Sequence, residues 1–170
     1  MNPILCAIPL LVIAACRGDT GVGASIDVET IPSKTIRGQL VYAAKFLCGT
    51  IPPKPGAPEF PGSGLGDTVF LSPGTCLTAV NVHNPDTVPV VFFKRAAVSR
   101  RQTLPHGQVS GFDGDTLRWD EGLEIDCPDI LRLLRDTLSL ERHFVKGFVV
   151  LRTRAPLDVV GVYTFKNVER

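Results

Sequence analysis

From Pro73 to Lys94 the chain reads as strand, turn, strand. Cys76, Thr78, Val80 and Val82 fall on one face of an extended segment, and Leu77, Ala79, Asn81 and His83 on the other. Asn84-Pro85-Asp86 is turn chemistry, because Asn and Asp fold back onto the backbone and Pro fixes one dihedral. Val88 to Phe93 is β-branched and aromatic, too apolar for a solvated loop. The same period of two runs through Gly38 to Gly49, where Leu40, Tyr42, Ala44, Phe46 and Cys48 share a face. It returns at Leu123, Ile125 and Cys127. Pro128 then suits a first helical position, and Ile130, Leu131, Leu134 and Leu138 predict an apolar stripe on that helix. Phe144 to Leu151 and Leu157 to Phe165 are apolar on both faces and predict a central pair of strands across a Thr153–Pro156 turn. Gln108 to Phe112 and Thr116 to Trp119 predict two short strands, with Asp113-Gly114-Asp115 as their hairpin turn. Many short strands and one helix predict an all-β fold: an immunoglobulin-like antiparallel β-sandwich with one short helix.

Composition narrows the function classes. The 170 residues suffice for one domain with its own core. Eighteen basic residues against seventeen acidic ones leave a net charge of +1, which gives no basic excess to hold a phosphate backbone and argues against nucleic acid. Residues 50–72 concentrate proline and glycine and predict a long loop. Its interrupted glycine run has no strand before it and no helix after it, which excludes a phosphate cradle.

The N-terminus predicts export. Ile4 to Ala15 is an uncharged apolar run too short to span a bilayer and of the length of a signal core. It ends in Val12-Ile13-Ala14-Ala15-Cys16, which resembles the bacterial lipobox, where an apolar residue and two small ones precede a cysteine that becomes lipidated. Met1-Asn2-Pro3 departs from that pattern by lacking Lys or Arg. The expected organisation is a signal peptide over 1–15, a lipid-anchored flexible tether over 16–37, and a β-sandwich domain over 38–170. The implied location is the cell envelope, with the chain held extracytoplasmically on a membrane through Cys16.

Cysteine and histidine supply the candidate chemistry. Of five cysteines, Cys6 leaves with the signal and Cys16 takes the lipid. Cys48, Cys76 and Cys127 remain, enough for one intrachain bond with three pairings. Alternation places all three on core faces and does not choose among them. His83 stands on the outward face with Asn81 before the turn, and Trp119 is the sole tryptophan; these three are the candidate binding residues. Glu124 and Asp126 share an outward strand face, which simple alternation explains. No paired Cys or His spacing suits zinc, and no G-x-S-x-G elbow is present, so neither a metal nor a cofactor is expected.

Five segments together resemble a family of uncharacterised prokaryotic exported β-sandwich proteins. They are Tyr42 to Gly49 (YAAKFLCG), Thr78 to Pro85 (TAVNVHNP), Leu123 to Cys127 (LEIDC), Lys146 to Val150 (KGFVV) and Leu157 to Thr164 (LDVVGVYT). The likeness spans residues 38–167 and supports the fold; the family has no established reaction or ligand. Its motifs carry counterparts of Cys48 and Cys127, and the resemblance therefore implies that pair as the disulfide. Cys76 stands where the family pattern has a bulkier residue, and the Pro-rich loop is longer. The expected role is a non-enzymatic, membrane-tethered module with a structural or protein-interaction function. A small-ligand or carbohydrate-binding domain is the alternative; solvent-facing aromatics favour it, and Trp119 is the residue that bears on it.

Overall fold

The computed structural model describes residues 24–51, 73–100, 102, 105–135 and 144–167. Its elements are β1 (Ala24–Thr30), β2 (Lys34–Ile36), β3 (Gln39–Ile51), β4 (Gly74–His83), β5 (Val90–Val98), β6 (Asp113–Leu117), β7 (Gly122–Asp126), α1 (Cys127–Leu133), β8 (Phe144–Thr153) and β9 (Asp158–Asn167). All pairings are antiparallel. One layer has the order β1-β9-β4-β7 and the other β3-β8-β5-β6, with β2 added to the start of β3. This is an all-β sandwich, with one short helix among the described residues.

The layers join where Gly49–Ile51 of β3 pair with Gly74–Cys76 of β4. Gly49 has φ 111°, a conformation only glycine adopts freely, and it sits where β3 leaves one layer for the other. Beyond that corner the strands part, and a side chain takes over from the ladder. The Thr78 hydroxyl accepts from the Leu47 N–H at 3.0 Å and donates to the Leu47 carbonyl at 3.1 Å. That explains why a threonine is buried at this position of an otherwise apolar face.

The inward faces are those that alternation assigns. Tyr42, Ala44, Phe46 and Cys48 on β3, and Cys76, Val80 and Val82 on β4, are buried with Phe92, Ile125, Val149 and Leu151. Each fully buried large apolar side chain contributes about 1.5–3 kcal/mol relative to exposure. The Cys48 and Cys127 sulfurs are bonded, with Cα atoms 5.5 Å apart, so the bridge ties β3 of one layer to the helix entry of the other. Among the described residues Cys76 is the free thiol, and it is buried. Asp126 caps α1 by accepting from the Asp129 N–H at 3.0 Å, and Pro128 fills the first turn.

Several expectations change. Residues 24–36, read as tether, carry β1 and β2, and β1 pairs with β9 along its whole length. Every residue of β1 is exposed, so its alternation lacks the buried face that marks a strand in sequence. The Pro73–Lys94 segment is not a hairpin: β4 and β5 lie in different layers, and residues 84–89 arch between them. Nor do β8 and β9 form a pair. Each is central in its own layer, which is why both read as apolar on two faces. Asp113-Gly114-Asp115 is strand rather than turn, because Asp113 and Asp115 face the buried Lys94 of β5. Residues 108–112 form only a single bridge, at Val109. Ile130 of α1 and Leu134 at its C-cap are buried, but Leu131 is exposed, one residue off the inward side. Cys16, the signal segment 1–15, Leu138 and the loop 52–72 lie outside the described residues.

Candidate binding end at His83

His83 is the last residue of β4, opposite Asp158 of β9 and Gly122 of β7. Strand alternation turns its ring to the outer face. Its Nε2 lies 2.9 Å from Asp120 Oδ1 and its Nδ1 lies 3.2 Å from Asp158 Oδ2. Only an imidazolium donates from both nitrogens at once. The hydrogen bonds to Asp120 and then Asp158 accordingly raise the His83 pKa above its usual value. The ring stays 40% exposed and both carboxylates are more open still, so this is a solvated charge cluster.

Asn84, the next residue, holds the surrounding loops. It is fully buried. Its Nδ2 donates to the carbonyls of Val88 (2.9 Å), Leu117 (3.1 Å) and Arg118 (2.9 Å), and its Oδ1 accepts from the Asp86 N–H at 3.0 Å. Two hydrogens serve three acceptors, so one is shared. Its backbone carbonyl also accepts from the Asp120 N–H at 3.0 Å. Asp120 has φ 56°, a left-handed conformation that Asp tolerates better than most residues. The Asn84 amide thus fixes the turn that carries Asp120 to His83.

A shallow groove of about 330 Å³ runs beside the cluster, lined by Asn81, Val82, His83, Leu123, Glu124 and Val160 among others. Two of the three residues expected to bind, Asn81 and His83, meet there. Trp119 is 66% exposed and neighbours Asp120 in sequence, but it does not line the groove. Asp120 and Asp158 were not legible as site residues; Asp120 comes from the turn before β7 and Asp158 from the start of β9, and no local spacing links them to His83. Chemically the cluster can exchange a proton and present negative charge. The free thiol Cys76 belongs to the inward face, away from this outer ring, and burial pushes its pKa up. Among the described residues no group of His, Cys, Asp and Glu has the arrangement of a metal site.

Comparison with known protein families, curated proteins and solved structures gives no match. The likeness to exported sandwich proteins therefore rests on the quoted motifs, and the site on its own geometry.

A second charge cluster lies on the other layer. Lys94 is buried and its Nζ lies 2.9 Å from Asp115 and 3.4 Å from Asp113. The ammonium beside Asp115 holds that carboxyl below its ordinary range. Outside the same layer, the guanidinium carbons of Arg95 and Arg152 stand 4.5 Å and 4.7 Å from the Phe112 ring centre.

Proposed function

We propose that the chain is an extracytoplasmic β-sandwich module, tethered to a membrane through Cys16, that acts by contact with protein rather than by catalysis. The observation that carries this reading is the bond between Cys48 and Cys127. Such bonds persist in oxidising compartments and are rare where thiols are kept reduced, so the bond supports export. The apolar run ending at Cys16 supplies the route and the anchor. The contact role is supported by the outer sheet faces, where Ile26, Val28, Leu77, Val91, Phe93 and Phe148 remain exposed.

A small-ligand or carbohydrate role has less support. A sugar site sets an aromatic plane against polar partners, and Trp119 stands outside the groove of Asn81 and His83. The tether is tested by fractionation. Cys16→Ser moves the protein from the membrane to the soluble fraction; an unchanged membrane location refutes the anchor.

A further inference from the structure

The two outer faces of the sandwich differ in charge. Strand register lays out the face of the β3-β8-β5-β6 layer in cross-strand rows. One row is Phe112, Arg95, Val150 and Ala43; the next is Gly114, Phe93, Arg152 and Val41; a third is Ala97, Phe148 and Lys45. Phe112 takes its place in the first row by continuing the alternation of β6. Lys34 and Lys146 share this face by alternation. No described carboxylate does. Phe93 and Phe148 stay 47% and 42% exposed. Arg95 and Arg152 have no ion-pair partner among the described residues, and the Arg95 Nε is buried without a hydrogen bond. Two guanidinium groups held beside one ring repel each other and attract carboxylates.

The opposite face carries the reverse charge. Its rows are Gly122, His83 and Asp158; then Glu124, Asn81, Val160 and Thr30; then Asp126, Ala79, Val162 and Val28; then Leu77, Thr164 and Ile26. Carboxylates gather at the His83 end, and exposed aliphatic side chains fill the rest. Lys166 is the one described cation other than His83, at the far end. Arg152 lies next to the β8–β9 connection, whose other side is Asp158. The unpaired arginines and the carboxylates therefore lie toward the same end of the sandwich, on opposite faces.

We propose that a second copy of this chain covers the Arg95–Phe112–Arg152 face with its own Glu124–Asp158 face. Such a contact sets a face of arginines and exposed Phe93 and Phe148 against one of carboxylates and exposed aliphatic side chains. The contact is heterologous, so each copy keeps one free face and the stack does not close. A face four strands wide and five residues long covers on the order of 400 Å² per copy. That is about half the share of a standard stable interface, so the contact is weak in solution and relies on crowding at a membrane. The proposal rests on the contact-module reading. Sedimentation tests the contact, whereas fractionation tests the tether, so the two fail separately.

Full-length chain carrying Cys16→Ser, which removes any acyl contribution, is followed by sedimentation over about 20–500 µM, a range suited to an undersized interface. The wild-type face self-associates at low salt and loses association as salt shortens the screening length. Arg95→Glu with Arg152→Glu sediments as a monomer, and so does Glu124→Lys with Asp158→Lys, each with at least about a tenfold weaker constant. Mixing these two variants restores association, because each face of one variant is complementary in charge to a face of the other. Arg95→Gln with Arg152→Gln replaces the reversal if circular dichroism shows a folding defect. A wild-type chain monomeric throughout overturns the proposal, as does self-association by either variant alone, or a mixture that stays monomeric. Binding of a monomeric chain to phosphatidylglycerol vesicles overturns it too and assigns the basic face to lipid.

Discussion

Replacing Asn84 by aspartate keeps the shape of the side chain and reverses the chemistry of one end. The amide nitrogen now serves the carbonyls of Val88, Leu117 and Arg118 at 2.9, 3.1 and 2.9 Å. In Asn84→Asp those three carbonyls face a carboxylate oxygen, with no donor between them. Each lost hydrogen bond costs about 1 kcal/mol, and the buried Leu117 carbonyl, left without its partner, about 2 kcal/mol. The sum is roughly 3–4 kcal/mol before any repulsion between carboxylate and carbonyls is counted. Asn84→Ala loses the Asp86 N–H contact as well and falls in the same range. For a domain of this size the change lowers the Tm by roughly 6–15 °C. Urea unfolding followed by circular dichroism reads the difference as a shift in midpoint at constant slope. An Asn84→Asp protein within about 1 kcal/mol of wild type would refute the view that this amide organises the His83 end.

Three further outcomes are expected. Removing the disulfide with Cys48→Ala and Cys127→Ala frees a loop closed across a sequence separation of 79, for which the chain-entropy model gives about 4.5 kcal/mol; thermal unfolding unaffected by the double change would contradict it. Gly147→Ala places a Cβ against the Ala97 carbonyl oxygen and the Phe46 ring, and the backbone cannot yield, so about 1–3 kcal/mol is lost; an unchanged midpoint would show that the strands move apart freely. Because the folded-state pKa of His83 is raised, its contribution to stability is full below the unfolded value near 6.5 and declines as pH rises through the folded value. His83→Gln removes that part of the pH dependence, and an imidazole NMR titration at or below 6.5 would contradict the clamp.

The inward faces of β3, β4 and β7 were legible because burial and period two coincide there. Tyr42, Phe46, Val80, Val82 and Ile125 all point where alternation puts them. Layer assignment was not legible. Asn84-Pro85-Asp86 and Thr153–Pro156 have turn chemistry, which fixes a reversal of direction but not whether the next strand pairs or crosses to the other layer. Asp113-Gly114-Asp115 has hairpin chemistry that a tertiary ion pair overrides. Lys94 interrupts an inward row and needs two carboxylates opposite it, and Gly114 leaves room for the Phe93 ring. The candidate site was half legible. Asn81 and His83 share a strand face, whereas Asp158 reaches His83 through the β4–β9 register and Asp120 through a separate turn, neither of which local spacing reveals.

The proposed function requires a disulfide-stapled module that is exported to an oxidising compartment and held there by an acylated Cys16. Non-reducing peptide mass spectrometry of the protein recovered from its own cells tests it most directly. The expected result is an acylated N-terminal peptide beginning at Cys16, a Cys48–Cys127 linked peptide, and Cys76 as a free thiol. An N-terminal peptide that retains residues 1–15, together with Cys48 and Cys127 both recovered as free thiols, would contradict it.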